Sequence, residues 1–339
     1  MSIHLAILIL AILVGFLPSA LAAESRELIL AAYSVPKEAY ETRIIPAFIK
    51  QWKEKTGQDV RIRSSYGASG AQARAIIGGF DADVAALSIE SDIDQVRKAG
   101  LITHNWRHGT RKGMVTASVV AFGVRKGNPK NIKTWEDLAK PGVEVLYPNP
   151  KTSGGAMWDV IAIYGAGLRL SPASGQAGDQ FAADLVKRIQ KNVKVMDKSG
   201  RESVTTFERG IGDVIVTYEN ELLPRIKAGR GYELIIPAET VWIENPVTFV
   251  DRNADKHKVR DLAEGFVTFL SGEEAQRAFV EAGFRPVEDG TPQSSPGPSP
   301  RPAKLFTISD LGGWDKISTL LFGPQGVWTR AVEELARGK

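Results

Sequence analysis

The chain has 339 residues, 43% of them hydrophobic and 24% charged, with a formal net charge of +4 and no cysteine. That length allows about two domains at roughly 150 residues each, and that composition excludes wholesale disorder. The missing cysteine excludes disulfides, thiol catalysis and cysteine-bound zinc, while Lys and Arg interspersed with acids, never five in a row, leave no nucleic-acid footprint.

Residues 3–18 are almost wholly apolar, Ser19-Ala-Leu-Ala-Ala23 follows, and the first charged residue is Glu24. Residues 1–23 therefore read as an export signal, with Ala20-Leu-Ala22 fitting a small-x-small cleavage site. The alternative is an uncleaved anchor, for which the run is short against the ~20 residues of a membrane span. The mature chain is expected in the periplasm or another extracytoplasmic space.

Glu27–Tyr33 reads as a buried strand. Ile44, Ile45, Phe48, Ile49 and Trp52 then recur at helical spacing up to Gly57, with Pro46 expected to kink the pattern. Asp59–Arg63 alternates as a strand. Gly67-Ala-Ser-Gly70 opens a helix through Ile77, Ala82–Ser88 is a strand, and Ser91–Gly100 reads as a capped helix. This alternation predicts an α/β fold with a mostly parallel sheet covered on both faces. Ser118–Arg125 is a further strand, and Thr134 caps a short helix. A second set follows, with strands at Val143–Tyr147, Val193–Met196 and Asp213–Tyr218 and a helix around Thr205–Glu208. Val247–Val250 and helices at Val259–Leu270 and Gly272–Ala282 resume the first pattern. Residues 286–303 are rich in Pro, Ser and Gly and read as an extended connection; a last helix spans Val327–Ala336.

The most informative stretch is Asn149-Pro-Lys-Thr-Ser-Gly-Gly-Ala156, which runs into the apolar helical pattern Met157–Tyr164. Ser153 stands where an N-cap belongs, and Gly154 and Gly155 leave the first-turn amides uncovered. Those amides have no intrahelical partner and carry the positive end of the helix dipole, so they bind small anions. Gly67-Ala-Ser-Gly70 repeats the idea with Ser69. Either motif alone reads first as an ordinary cap; the pair points to one anion held between two lobes.

Reactive chemistry is hard to find. Four histidines show no paired ligand spacing, and His104 and His108 lie in a polar loop. There is no phosphate-cradling Walker loop, no dinucleotide fingerprint and no nucleophile elbow. Asp81 and Asp83 read as a solvated turn. No catalytic residue, metal site or cofactor is expected. What remains is a set of neutral donors suited to an oxyanion that only accepts hydrogen bonds.

The chain resembles the periplasmic sulfate-binding proteins, the receptors of sulfate/thiosulfate ABC importers. The matching stretches are Trp52–Gly57, Ser69–Arg74, Asp83–Leu87, Val124–Pro129, Pro141–Val143, Pro148–Ala156, Arg209–Val214, Tyr218–Glu221, Leu305–Ile308 and Gly312–Trp314, in order through nearly the whole mature chain. The resemblance implies a type II-like periplasmic-binding-protein fold with two lobes and a hinge. The lobes read as 24–117 with a return at 244–285, and 118–243; the connection 286–303 leads to a C-terminal segment, 304–339, packed on them. It further implies a monomer that delivers sulfate, or thiosulfate, to ABC permease subunits, with no nucleic-acid partner. Carried over by position, Ser69 donates from the first lobe, Ser153, Gly154 and Gly155 from the second, and the loop Ser199-Gly-Arg201 adds an amide at Gly200. Two positions depart from the family. Tyr33-Ser-Val-Pro36 replaces its Tyr-Asp-Pro, leaving Ser34 or Val35 as the first-strand contact, and Tyr218 replaces a tryptophan donor. These donors contain no carboxylate, which predicts exclusion of hydrogen phosphate and a sulfate affinity flat with pH. Thiosulfate, molybdate or phosphate are alternatives on the same fold; a secreted oxyanion hydrolase is the alternative of another class.

Overall fold

The computed structural model describes residues 25–108, 110–287 and 299–338. The segment 1–23, read above as an export signal, and residues 288–298 of the Pro-rich connection lie outside the described residues. Among the described residues no helix is long and apolar enough to cross a membrane.

Ten strands form the sheet: β1 (Arg26–Tyr33), β2 (Val60–Gly67), β3 (Val84–Ala86), β4 (Met114–Arg125), β5 (Val145–Leu146), β6 (Val193–Val195), β7 (Val214–Tyr218), β8 (Tyr232–Ile235), β9 (Glu239–Phe249) and β10 (Lys304–Phe306). They run in the order β2-β1-β3-β9-β4-β7-β5-β6, with β10 beside β9 and β8 beside β4. β1 is parallel to β2 and β3, and β5 is parallel to β6 and β7. The expected parallel character is thus present at both ends of the sheet. Between them β4 and β9 pair antiparallel. The first half of β4 lies on β9 and its second half on β7, while the far end of β9 lies on β3. Eleven of the twelve β4 residues are buried, the mark of a strand covered on both faces.

Each end has its own aromatic core. Phe48, Phe266, Phe279 and Phe284 join the helices Ile45–Thr56, Arg260–Leu270 and Glu273–Glu281 over β1 and β3. Phe122, Trp135, Tyr147, Phe306 and Trp328 surround the long helix Gly154–Leu170. The helix Val327–Arg337 is pinned there by Trp328 Nε1, which donates to Tyr147 Oη at 3.1 Å and to Gln190 Oε1 at 3.0 Å.

Several local readings change. Pro46 coincides with a break in helix regularity: the helical backbone is continuous over Lys37–Thr56, and a π turn over Tyr40–Ile44 stands directly before the proline that cannot donate to the preceding turn. Ser91 is not a cap, because that helix starts at Glu90 with Ile89 at the N-cap and no side-chain cap bond. Asp83 is not solvated: it is buried, accepts from Ile29 N at 2.8 Å and meets His257 Nδ1 at 2.7 Å. The helices Gln176–Lys191 and Glu219–Lys227 were not expected, and β9 begins at Glu239 rather than Val247. Pro246 lies inside this strand, where a proline is disfavoured, and it sits beside a register shift at Met114/Thr116.

Gly165 faces the C-terminal segment, and a Cβ there would overlap the ring of Phe306 on β10. Gly165→Ala should therefore destabilise the protein by about 1–3 kcal/mol despite Ala's better helix propensity. Thermal unfolding checks this, and an unchanged or raised Tm would show that Phe306 moves freely.

Candidate anion-binding site

Three helices begin around one small cavity: Ser69–Ile77, Gly154–Leu170 and Gly200–Glu208. The loop before the second is wound on Asn149, whose carbonyl accepts from the amides of Thr152 (3.0 Å) and Ser153 (2.9 Å) and whose Oδ1 accepts from Lys151 N (2.9 Å). Ser153 is the N-cap, and its Oγ accepts from Ala156 N at 3.2 Å. The amides left without a helical partner are those of Gly154 and Gly155. Ser199 caps the third helix in the same way, its Oγ accepting from Glu202 N at 3.3 Å, which leaves Gly200 and Arg201. Thr152 Oγ1 donates to Lys198 O at 2.8 Å and ties these two starts together.

The first helix differs. Its N-cap is Ala68, without a side-chain cap, and Ser69 is the first helical residue. Ser69 Oγ donates to Asp92 Oδ2 at 2.5 Å and accepts from Ser88 N at 2.9 Å. Burial pushes the Asp92 carboxyl up to about 6, against the opposing pull of that hydroxyl. A Cβ on Gly70 would stand 3.1 Å from Thr152 O, so glycine here lets the first and second helix starts approach.

Ser88 joins the walls. Its Oγ and Tyr218 Oη are 2.8 Å apart, and its carbonyl accepts from Trp158 Nε1 (3.0 Å) and Asn245 Nδ2 (2.8 Å). Tyr33 Oη donates to Asn245 Oδ1 at 2.9 Å. Burial raises the phenols of Tyr33 and Tyr218, which stay neutral. The cavity, about 10 Å³, is walled by Tyr33, Ser34, Val35, Gly67, Ala68, Ser69, Ser88, Pro148, Ser153, Gly155, Asp159, Ser199, Gly200, Thr217 and Tyr218. No Lys, Arg or His is among these wall residues. Positive potential comes from helix ends, neutral hydroxyls add donors, and the arrangement can bind an anion without a formal cation.

The bacterial extracellular solute-binding protein model matches residues 28–285. The chain belongs to that family. It is 44% identical to the sulfate-binding protein of Synechococcus elongatus over 92% of this chain and 88% of that one. It is 37% identical to the thiosulfate-binding protein of Pseudomonas aeruginosa over 75% of this chain and 76% of that one. The solved structure of the sulfate-binding protein SubI from Mycobacterium tuberculosis H37Rv superimposes with a TM-score of 0.77 at 36% identity, covering 88% of this chain and 99% of that one. The resemblance read from the motifs agrees with these matches.

In this solute-binding protein seven of the eight positions read from sequence reach the cavity wall: Ser34, Val35, Ser69, Ser153, Gly155, Gly200 and Tyr218. Ser34 and Val35 both line it. Gly154 stands behind the wall, where a Cβ would meet Ser88 Oγ at 2.9 Å. Gly200 belongs to a helix start rather than a loop, and Ser69 is not a cap and spends its hydroxyl hydrogen on Asp92. His104 is held at both ring nitrogens, Nδ1 by Asp251 (2.7 Å) and Nε2 by Thr248 (3.0 Å). Among the described residues no group of three or more His, Asp or Glu is placed to hold a metal ion. Sequence reasoning missed Ser88 and Asp159. Asp159 also corrects the expectation of a wall without a carboxyl group, and with it the ground for excluding hydrogen phosphate and for a pH-flat affinity.

Arg201 crosses the mouth. Its guanidinium donates to both Glu38 carboxylate oxygens at 2.6 Å and to Val35 O at 3.3 Å. The pair is partly exposed, so the contact contributes on the order of 1 kcal/mol. Arg201→Ala should loosen the two sides and increase the radius of gyration of the ligand-free protein. Small-angle scattering checks this; superimposable curves would mean that the contact does not hold the mouth closed.

Proposed function

We propose that this protein captures sulfate outside the cytoplasm and delivers it to the permease of an ABC importer, without catalysing a reaction. The observation that supports this best is the convergence of three helix N-termini on a buried cavity walled by no Lys, Arg or His. Sulfate carries no proton at neutral pH and accepts hydrogen bonds from every side, matching donors of this kind. The names of the relatives above point the same way. Ser153 has a specific role in this reading. Its oxygen already accepts from Ala156 N, so its hydroxyl hydrogen is free for the ligand, as is the amide of Gly155.

The walls belong to different parts of the sheet. Ser34, Val35 and Ser69 follow β1 and β2, whereas Ser153 and Gly200 follow β5 and β6 and Tyr218 ends β7. A cavity with space for about one water must part to admit a five-atom anion. We infer that the two ends of the sheet act as lobes, residues 24–117 with 244–285 against 118–243, flexing where β4 and β9 pass between them. Thiosulfate is the second reading. It is favoured by the thiosulfate-binding relative and by Tyr218, whose phenol reaches differently from an indole.

Sulfate should bind 1:1 in calorimetry, and Ser153→Ala should raise its Kd roughly tenfold or more, the loss of one charge-assisted bond from a buried site. Sulfate esters should not turn over. Absence of sulfate binding, or an unchanged Kd in the variant, would remove the assignment or the role of Ser153 respectively. Competition with thiosulfate ranks the two anions.

A further inference from the structure

Asp159 lies in the helix Gly154–Leu170, directly after Trp158, whose indole is fixed on the Ser88 carbonyl. It is 1% exposed and shares the cavity wall with Ser153, Gly155, Thr217 and Tyr218. No hydrogen bond reaches its Oδ1 among the described residues. The titratable groups around it give no compensating positive charge. Tyr147 and Tyr218, at the ends of β5 and β7, both feel its charge and are neutral buried phenols. Tyr33 of β1 closes the wall, Asp92 stands behind Ser69, and no base lines the cavity.

A buried carboxyl group with an orphaned oxygen beside an anion site has one workable state. As a carboxylate it repels a dianion at contact and leaves acceptors facing acceptors. As a neutral acid it offers an O–H donor and a carbonyl acceptor. We propose that Asp159 is a member of the anion site that binds sulfate as a neutral carboxylic acid, donating its hydroxyl hydrogen, so that capture of the dianion is linked to a proton. The inference rests on the sulfate reading. Burial raises the Asp159 carboxyl well above the usual carboxylate range, which favours the same state before the ligand arrives. At pH values where the empty site already holds the proton, sulfate affinity is flat. Above the pKa of the empty site, binding takes up one proton, and the Kd weakens toward tenfold per pH unit.

The test uses the full exported chain and sodium sulfate. Infrared difference spectra, sulfate-filled at pH 8 in wild type against Asp159→Asn, should contain the C=O stretch of a protonated carboxylic acid that the variant lacks. A carboxylate band in its place would overturn the proposal. Calorimetry supplies a second readout. Asp159→Asn keeps a neutral donor and should bind within about threefold of wild type, with a Kd flat from pH 5 to 9. Asp159→Leu, which has no donor, should lose about tenfold or more. Leucine binding as tightly as wild type would overturn the proposal even if the asparagine variant failed to fold, and the infrared result on wild type needs only its own band assigned by aspartate isotope labelling. Failure of wild type to bind sulfate at any pH would instead reject the functional reading beneath it.

Discussion

A dianion moved out of water loses solvation that no single side chain replaces, and on the proposed reading this cavity would meet that loss with backbone. Three helices start at its wall, and each helix start carries about half an elementary positive charge. Such charge is fixed by geometry and needs no counter-ion of its own. The surrounding chemistry follows from it. Ser153 and Ser199 cap their helices through side-chain oxygens, which satisfies the third amide of each and leaves the first two. Glycine occupies positions where a Cβ would strike Ser88 or Thr152. Charged groups stay outside the wall, except for one carboxyl group whose burial works against ionisation.

The sheet explains why the helix starts meet. Parallel strands send their carboxyl ends in one direction, and ligands of open α/β sheets sit beyond those ends. Here there are two such parallel groups, one at each end of the sheet. β1, β2 and β3 end at Tyr33, Gly67 and near Ser88, while β5 and β7 end near Pro148 and at Tyr218. Each of these residues lines the cavity. Long antiparallel strands, β4 and β9, hold the groups in register across the middle. Ser88 and Asn245 then bind the pieces to one another, since the Ser88 carbonyl receives Trp158 from one end and Asn245 from β9.

How much of this is readable in sequence depends on how local each signal is. Ser153 and its two glycines form a cap pattern confined to one turn, and the structure has that cap. Ser69 sits in a similar string, yet backbone geometry one residue earlier makes Ala68 the N-cap and turns the hydroxyl toward Asp92, a partner 23 residues away that no local pattern marks. Asp159 is still less visible. It occurs within the apolar run Met157–Tyr164, where an acid reads as a residue facing solvent, but twelve of the seventeen residues of that helix are buried and little of it faces solvent. The alternating strands gave the α/β class, whereas Pro246 concealed most of β9 because the register shift beside it is a property of the partner strand. Pro224, inside Glu219–Lys227, is a further break that the tertiary structure overrides.

The placement of formal charge bears on release as well as capture. A lysine or arginine in the wall would hold a dianion whether or not the helix starts were together, and its attraction would persist as the cavity opened. Helix-end amides and hydroxyls act over about one turn and lose their grip when the starts separate. Arg201 stands next to the cavity but is directed to Glu38 across the mouth and toward Glu221 behind it. Its charge therefore holds the two sides to each other rather than to the anion. On the proposed two-lobe reading, the motion that opens the mouth would also dismantle the binding site, which is the property a delivering protein needs and a storage site does not.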